Sequence, residues 1–295
     1  MDLWNNRNWT PMLLAETNKP FDDKDYIFEI KFDGIRAIIF VSPTHFEIRN
    51  RHNKIITEKY PELESIKNLV KKETILDGEI VMMENGIPSF SSLQTRAHLK
   101  NRIKIKNASI KNPVVFVCFD ILYYEKDLID LTLIKRKKVL NQIEENDVLV
   151  KTKPVDTCGT NLYQSTKKLK LEGIVAKNKK STYDVNTRTN SWIKIKHLKV
   201  EEFIVGGYRE NIENSISLML GEYRNNKLYY VGSVVLNKKR EFYKKIIKQR
   251  IKNKSPFIDY ESNSVKYIEP TLKCNIEYLE RTNNNHLRHP VYREK

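Results

Sequence analysis

The sequence predicts an α+β body followed by a small all-β barrel, and three observations carry that expectation. Up to Lys199, apolar alternation of the strand type is interleaved with helical spacing. Beyond Lys199 the pattern shifts to short strands with one helical stretch, which fits a Greek-key barrel of the OB type. The 295 residues have room for two domains, one of about 190 residues and one of about 100. The expected division is therefore 1–198 and 199–295.

In chain order, Tyr26 to Ile30, Ala37 to Val41 and Phe46 to Arg49 read as successive strands. Pro61 to Val70 fits a helix. Asn85-Gly86 between apolar runs predicts a hairpin turn, because both residues tolerate positive φ. Lys100 to Lys111 sets Arg102, Lys104 and Lys106 against Ile103 and Ile105, an alternation that reads as a strand with one basic face. That face suits either a polyanion backbone or plain solvent. Helices are expected over Leu131 to Ile143 and Asn161 to Leu171. In the second part, Phe203 to Tyr208, Ile216 to Tyr223 and Leu228 to Val235 read as strands. From Lys238 to Lys254, the spacing of Phe242, Ile246, Ile247 and Ile251 predicts an amphipathic helix whose basic side is a solvated face. No internal repeat or low-complexity linker interrupts the chain.

The segment that carries chemistry is Lys31-Phe32-Asp33-Gly34-Ile35-Arg36, at the exit of the first of these strands. By itself Asp-Gly is a common turn dipeptide. A lysine amine is a nucleophile only when deprotonated, and its ordinary pKa of about 10.4 must then be lowered by burial, by other cations or by a metal. Three downstream segments supply candidates. Ile75 to Val81 is an apolar run broken by Asp77-Gly78-Glu79, and Leu171 to Lys177 opens another with Glu172-Gly173. Ser191 to Lys196 alternates so that Trp192, Lys194 and Lys196 share one face. These two lysines are the cations expected beside Lys31.

Taken together and in this order, the segments resemble the ATP-dependent DNA ligases, whose signature is the Lys-x-Asp-Gly-x-Arg hexamer. The superfamily also holds RNA ligases and mRNA-capping nucleotidyltransferases, which form the alternative. The resemblance runs from about Thr10 to near the C-terminus. Pro88 to Arg96 resembles the Phe-x-x-Leu-Gln-x-Arg segment of DNA ligases, and Glu201 to Tyr208 the first strand of their OB domain. Leu287-Arg288-His289-Pro290 is similar to the ligase modules of bacterial end-joining enzymes. The fold implied is an ATP-grasp-like nucleotidyltransferase (adenylation) domain followed by an OB-fold domain, in a two-domain form with no further module.

The resemblance also implies roles. Lys31 would attack the α-phosphorus of ATP and carry AMP as a phosphoramidate, with Lys194 and Lys196 stabilising the charge on that phosphate. Arg36, Arg49 and Arg188 sit where the family places arginines, the first two contacting the nucleotide and later the 5′-phosphate of a nick. Glu79 and Glu172 would handle the ribose hydroxyls and Mg²⁺ or Mn²⁺. Glu29 would accept a hydrogen bond from the adenine amino group, and Phe119 would stack on the ring while Phe116 faces away. A hinge is expected at Lys196 to Glu201. The implied partners are nicked duplex DNA and a Ku-like end-binding protein, for a monomer in the cytoplasm or nucleoid of a bacterium or a viral host. One departure is visible: the family's last motif ends in Arg-x-Asp-Lys after a short loop, whereas here Arg293 and Lys295 follow Pro290 directly, as a compressed or a degraded version.

Composition agrees with a polyanionic partner. Lys and Arg total 53 against 37 Asp and Glu, a formal charge of +16. Richness in Ile and Asn alongside Lys points equally to a genome bias. Cys118, Cys158 and Cys274 are far apart, which argues against a zinc site or a disulfide framework and for a reducing compartment. Asp2, Asn5 and Arg7 break any N-terminal apolar run, so neither a signal peptide nor a membrane span is expected.

Overall fold

The structure, a computed structural model, describes residues 2–212, 214–282 and 284–294, and it divides into two units, Met1–His197 and Leu198–Lys295. In the first unit, two five-stranded sheets carry the architecture. One runs in the order Leu13–Thr17, Arg188–Lys196, Gly173–Asn178, Tyr26–Lys31, Val155–Asp156, antiparallel apart from its first pair. The other runs Phe46–Asn50, Ile35–Val41, Thr74–Val81, Val115–Tyr124, Leu149–Lys151, antiparallel apart from its last pair.

Alternation along these strands sorts the side chains. Phe28, Ile174, Ala176 and Ile195 turn to one face of the first sheet, where Leu162 and Tyr163 of helix Gly159–Lys168 pack on them. Ala37, Ile39, Leu76, Ile80, Phe116 and Cys118 turn to the outer face of the second sheet, over Leu63 and Ile66 of the 3-10 stretch Pro61–Leu69. Between the sheets lie Ile27 and Trp192 from the first and Ile38, Phe40 and Ile75 from the second, closed at one end by Leu3, Trp4, Trp9 and Met12. Polar residues that share those inward faces, among them Glu29, Asp77 and Lys177, are therefore buried.

One buried pair is structural. Arg136, on helix Leu133–Leu140, and Asp120 are both fully buried and meet through contacts of 2.9–3.1 Å, while Arg136 also donates to the carbonyls of Leu131 and Ser181. Removing one member of such a pair strands a buried charge. Asp120→Ala should lower the unfolding free energy by about 3–5 kcal/mol, read as a fall in the urea midpoint at unchanged slope.

In the second unit the long strand Lys199–Glu210 is the hub. Its first half pairs with Lys273–Tyr278 and its second half with Ser215–Arg224 and Lys266–Ile268. The chain bends between them at Gly206, where the ladder shifts register and a Cβ would lie 2.4 Å from the Phe257 ring. Lys227–Asn237, Ile251–Lys252 and Val291–Arg293 complete a seven-stranded sheet around Phe203, Val205, Leu218, Leu220, Val231 and Ile276. Among the described residues the strands curve without closing a continuous ladder.

The hairpin expected at Asn85-Gly86 is present, with φ of 50° and 79° between Met83–Glu84 and Ile87–Pro88. Two basic segments differ from their sequence patterns. Arg102–Lys111 is a helix, not a strand, because the Asn101 side chain accepts from the backbone N–H groups of Ile103 and Lys104 and caps it. The alternation misled because only Ile105 is buried, while Ile103 and Ile110, two turns apart, are more than 70% exposed. The other helix is limited to Glu241–Ile247, and Ile251 belongs to a short strand pairing with Lys266–Ile268. Among the described residues no helix is long and apolar enough to cross a membrane.

Candidate active site

Lys31 ends the strand Tyr26–Lys31, and its row of the ladder continues through Gly173 to Lys196. Two rows along stand Glu29, Val175 and Lys194, so these side chains share one face of the sheet with Lys31 and Lys196. Gly173 has φ of +152° and its missing Cβ would sit 2.1 Å from the Ile195 carbonyl oxygen. That close passage needs glycine, and it turns the preceding Glu172 toward Lys31: Nζ donates to Glu172 Oε2 at 2.6 Å. Across the gap between the sheets, Glu79 lies opposite Arg36 in its ladder. The Arg36 guanidinium donates to both Asp77 oxygens, at 3.1 and 2.7 Å, and to the Met12 carbonyl at 2.7 Å. The Tyr183 hydroxyl donates to Asp77 Oδ2 at 2.6 Å and completes the clamp.

The electrostatics of this group are lopsided. Burial pushes the Glu79 carboxyl up to about 8, with Glu172 and Asp77 adding to the rise and Lys31 and Arg36 opposing it. Burial also raises Glu172, against the pull of Lys31. For Lys31, burial works to lower the pKa, but Glu172, Glu79 and Asp33 outweigh it and hold the ammonium above its ordinary range. The expectation that Lys194 and Lys196 drive off the Lys31 proton is therefore corrected. Both turn to the same carboxylate, Glu16, at 3.0 and 3.1 Å, and their charge is spent on it. The residues that act on Lys31 here are acids.

Those acids define what the site can hold. Among the described residues no cluster of three or more Asp, Glu, His or Cys side chains could bind a metal alone. Two carboxylates, both made costly to ionise by burial and by neighbouring acids, fit a hard divalent cation that takes one or two protein oxygens and completes its shell with phosphate and water.

At the buried end of the same face, Glu29 is only 1% exposed. Lys137, from helix Leu133–Leu140, reaches its Oε1, and Lys177 comes within 2.7 Å of its Oε2. Burial alone would raise this carboxyl, but the two ammonium groups hold it down at about 2. The Lys177 ammonium lies 4.2 Å from the Phe119 ring centre and 3.9 Å from that of Trp192. Phe119 is half-buried and edge-on to Trp192, with the Arg36 guanidinium 5.5 Å from its ring centre, while Phe116 is fully buried on the opposite side of the sheet.

The structure thus brings together Lys31, Glu79 and Glu172, and around them Arg36, Glu29 and Phe119. Arg49 shares its ladder row with Ile38 and Asp77, and binds Glu47 at 2.7 Å and Asn53 at 3.0 Å. Arg188 is exposed and donates to the Leu14 carbonyl. Arg293 pairs with Glu277 at 2.5 Å in the second unit, and Lys295 lies outside the described residues. Sequence reasoning missed Asp77, Lys137, Lys177 and Tyr183. For Asp77 a signal existed: it precedes Glu79 by two residues and so shares its face.

Comparison with known proteins accounts for most of the chain. The family model for the ATP dependent DNA ligase domain matches residues 11–196, and that for the ATP dependent DNA ligase C terminal region matches 213–295. The chain is 29% identical to the multifunctional non-homologous end joining protein LigD of Mycolicibacterium smegmatis, over 97% of this chain and 38% of that protein. It is also 29% identical to the SPbeta prophage-derived DNA ligase-like protein LigB of Bacillus subtilis, over 96% of this chain and 97% of that one. The chain therefore spans well under half the length of LigD but nearly all of LigB. Among solved structures, a mycobacterial DNA ligase D complexed with ATP and MES superposes with a TM-score of 0.61 at 25% identity, covering 98% of this chain and 95% of that one. Fold and sequence agree on a nucleotidyltransferase domain followed by an OB-fold domain.

Proposed function

The chain belongs to the ATP-dependent DNA ligase family, and from that premise we propose that it seals 5′-phosphate/3′-hydroxyl nicks in duplex DNA through AMP carried on Lys31. The observation that supports this is the Lys31 ammonium held 2.6 Å from Glu172 and within the field of Glu79. Lys31 must lose a proton before it can attack, and Glu172 is placed to take it. Mg²⁺ or Mn²⁺, held by Glu79, Glu172 and the triphosphate oxygens, would supply positive charge that offsets these carboxylates and disfavours the ammonium form.

The neutral amine then forms an N–P bond to the α-phosphorus as the bond to the β-phosphate oxygen breaks; pyrophosphate leaves with that electron pair, and the second proton of the amine is lost to solvent. Lys194 and Lys196, on the Lys31 side of their strand, exchange Glu16 for the phosphate oxygens and neutralise the charge that grows there. In the second step a 5′-phosphate oxygen attacks the AMP phosphorus and the Lys31 nitrogen leaves as the amine, taking one proton back from Glu172 and one from solvent to return to the ammonium. In the third the 3′-hydroxyl attacks the 5′-phosphorus, AMP departs and the hydroxyl proton goes to solvent. Arg36 and Arg49 guide the nucleotide phosphate and then the 5′-phosphate, and Arg188 contributes at the mouth. Glu29 accepts from the adenine amino group and Phe119 stacks on the ring.

The likeness to LigD, named for non-homologous end joining, supports end joining as the setting, and a Ku-like end-binding partner, a monomeric ligase and a cytoplasmic location are proposed with it. The test is to incubate the protein with α-labelled ATP or GTP and Mg²⁺, then to add nicked duplexes of DNA, RNA and hybrid type. A labelled protein with ATP, chased into the DNA and followed by sealing, is expected. A GTP-only adduct, or sealing confined to RNA strands, would move the chain to the capping or RNA-joining branch.

A further inference from the structure

We infer that Lys137 and Lys177 are positioning residues for base selection. Their ammonium groups hold the Glu29 carboxylate ionised and aimed, so that the site takes a purine with an amino donor at C6 and refuses one with a carbonyl there. The inference rests on the reading of Glu29 as the group that recognises the base, and it assigns what makes that group selective.

The geometry carries it. Glu29 is almost fully buried, and a lone carboxylate in such a place takes up a proton rather than remain charged. A protonated acid can donate as well as accept, so it would welcome the C6 carbonyl of guanine or hypoxanthine. Two cations from separate elements prevent this. Lys137 reaches Oε1 from helix Leu133–Leu140 and is itself steadied by Thr152, to whose hydroxyl oxygen it donates at 3.1 Å. Lys177 reaches Oε2 at 2.7 Å from the strand next to Tyr26–Lys31, with its ammonium against the rings of Phe119 and Trp192. Each lysine occupies a different oxygen, and a carboxylate has acceptor sites to spare on both. Fixed in this way Glu29 is an acceptor only.

Other charged groups in the neighbourhood do not substitute for the lysines. Asp120 is matched by Arg136 and Asp77 by Arg36. The Cys118 thiol, which also feels Lys137, is pushed far above the usual thiol range by burial and stays neutral. Lys194, in the same ladder row as Glu29, is engaged by Glu16. The ionisation of Glu29 therefore depends first on Lys137 and second on Lys177, whose own pKa burial and the neighbouring Lys137 pull down to about 8, so that toward pH 8.5 Lys137 carries the charge.

The experiment measures kcat/KM for self-labelling with ATP and with GTP, from pH 5.5 to 8.5, in the wild-type chain and in Lys137→Met, Lys137→Arg and Glu29→Gln. For the wild type the ATP/GTP ratio should stay within about threefold across the series, since Glu29 remains ionised throughout. In Lys137→Met the ratio should fall about tenfold or more at pH 6, one pKa unit of lost ionisation being worth a factor of ten, and recover toward wild type at pH 8.5. Lys137→Arg should keep the ratio at both pH values, and Glu29→Gln should lose it at every pH. A Lys137→Met protein with an unchanged ratio at pH 6, or with a loss that pH 8.5 does not repair, overturns the inference while leaving Glu29 as the recognition group. An unchanged ratio in Glu29→Gln removes both. Should Lys137→Met fail to fold, the wild-type series decides: a ratio that declines from pH 7 to pH 5.5 shows a Glu29 that is not held ionised.

Discussion

Lys31→Ala is expected to leave less than about one part in 10⁴ of the label transferred from α-labelled ATP to protein, because no other amine can take its place as nucleophile. Among the described lysines of the site, Lys194 and Lys196 are ion-paired with Glu16 and would turn to the phosphate oxygens as cations when ATP binds, and Lys137 and Lys177 are ion-paired with Glu29. Lys31→Arg should do no better, since a guanidinium stays protonated at any working pH. The loss is specific to steps in which Lys31 changes its bonds. Given a nick already carrying 5′-linked AMP, the alanine protein should still join the strands, because the 3′-hydroxyl attack needs the metal carboxylates and phosphate cations but not the lysine amine. A labelled adduct that survives denaturation of the Lys31→Ala protein would overturn the nucleophile. Failure to seal the pre-adenylated nick would place Lys31 in the last step too, as a cation between Glu172 and the phosphate.

How far this site could be read from the sequence depends on how local each relation is. Lys31, Glu79 and Glu172 were legible because each stands at an Asp-Gly or Glu-Gly break in an apolar run, a local mark of a strand that presents an acid or a base. The two-part fold was legible for a similar reason: periodicity changes near Lys199, and the structure separates at His197 and Leu198. Relations between segments were not legible. Nothing near Lys137 says that its ammonium is buried, for it sits in the run Lys135-Arg136-Lys137-Lys138, and four consecutive cations wind around a helix without showing which of them turns inward. Only packing shows that Arg136 and Lys137 point inward, to Asp120 and Glu29. Lys194 and Lys196 were placed on the correct face, but their partner Glu16 lies on a strand that pairs with theirs in parallel from nearly two hundred residues away, a distance no local pattern spans. Arg102–Lys111 failed the other way: a two-residue alternation was read where one capping asparagine decided for helix.

Glu79→Gln should separate function from stability, lowering sealing by at least about 100-fold while making the protein harder to unfold at alkaline pH. Glutamine has the shape of glutamate, so no cavity forms and the change is electrical. The sign follows from the direction of the shift. The Glu79 carboxyl rises from its ordinary value to about 8 in the folded chain, so the folded state holds a proton that the unfolded state has already released. Stability then falls as pH climbs from about 4.5 toward 8 and levels off beyond it. Glutamine carries no such dependence. Relative to wild type, Glu79→Gln should gain little at pH 5 and about 1–3 kcal/mol at pH 8.5, a few degrees in Tm. The cost that wild type bears at pH 8.5 is the burial of the Glu79 charge, increased by repulsion from Glu172 and Asp77, and the metal would offset both, so adding Mg²⁺ and ATP should raise the Tm of wild type and not that of Glu79→Gln. A Glu79→Gln protein that is less stable than wild type at pH 8.5 would make Glu79 a structural partner of Arg36 and Lys31.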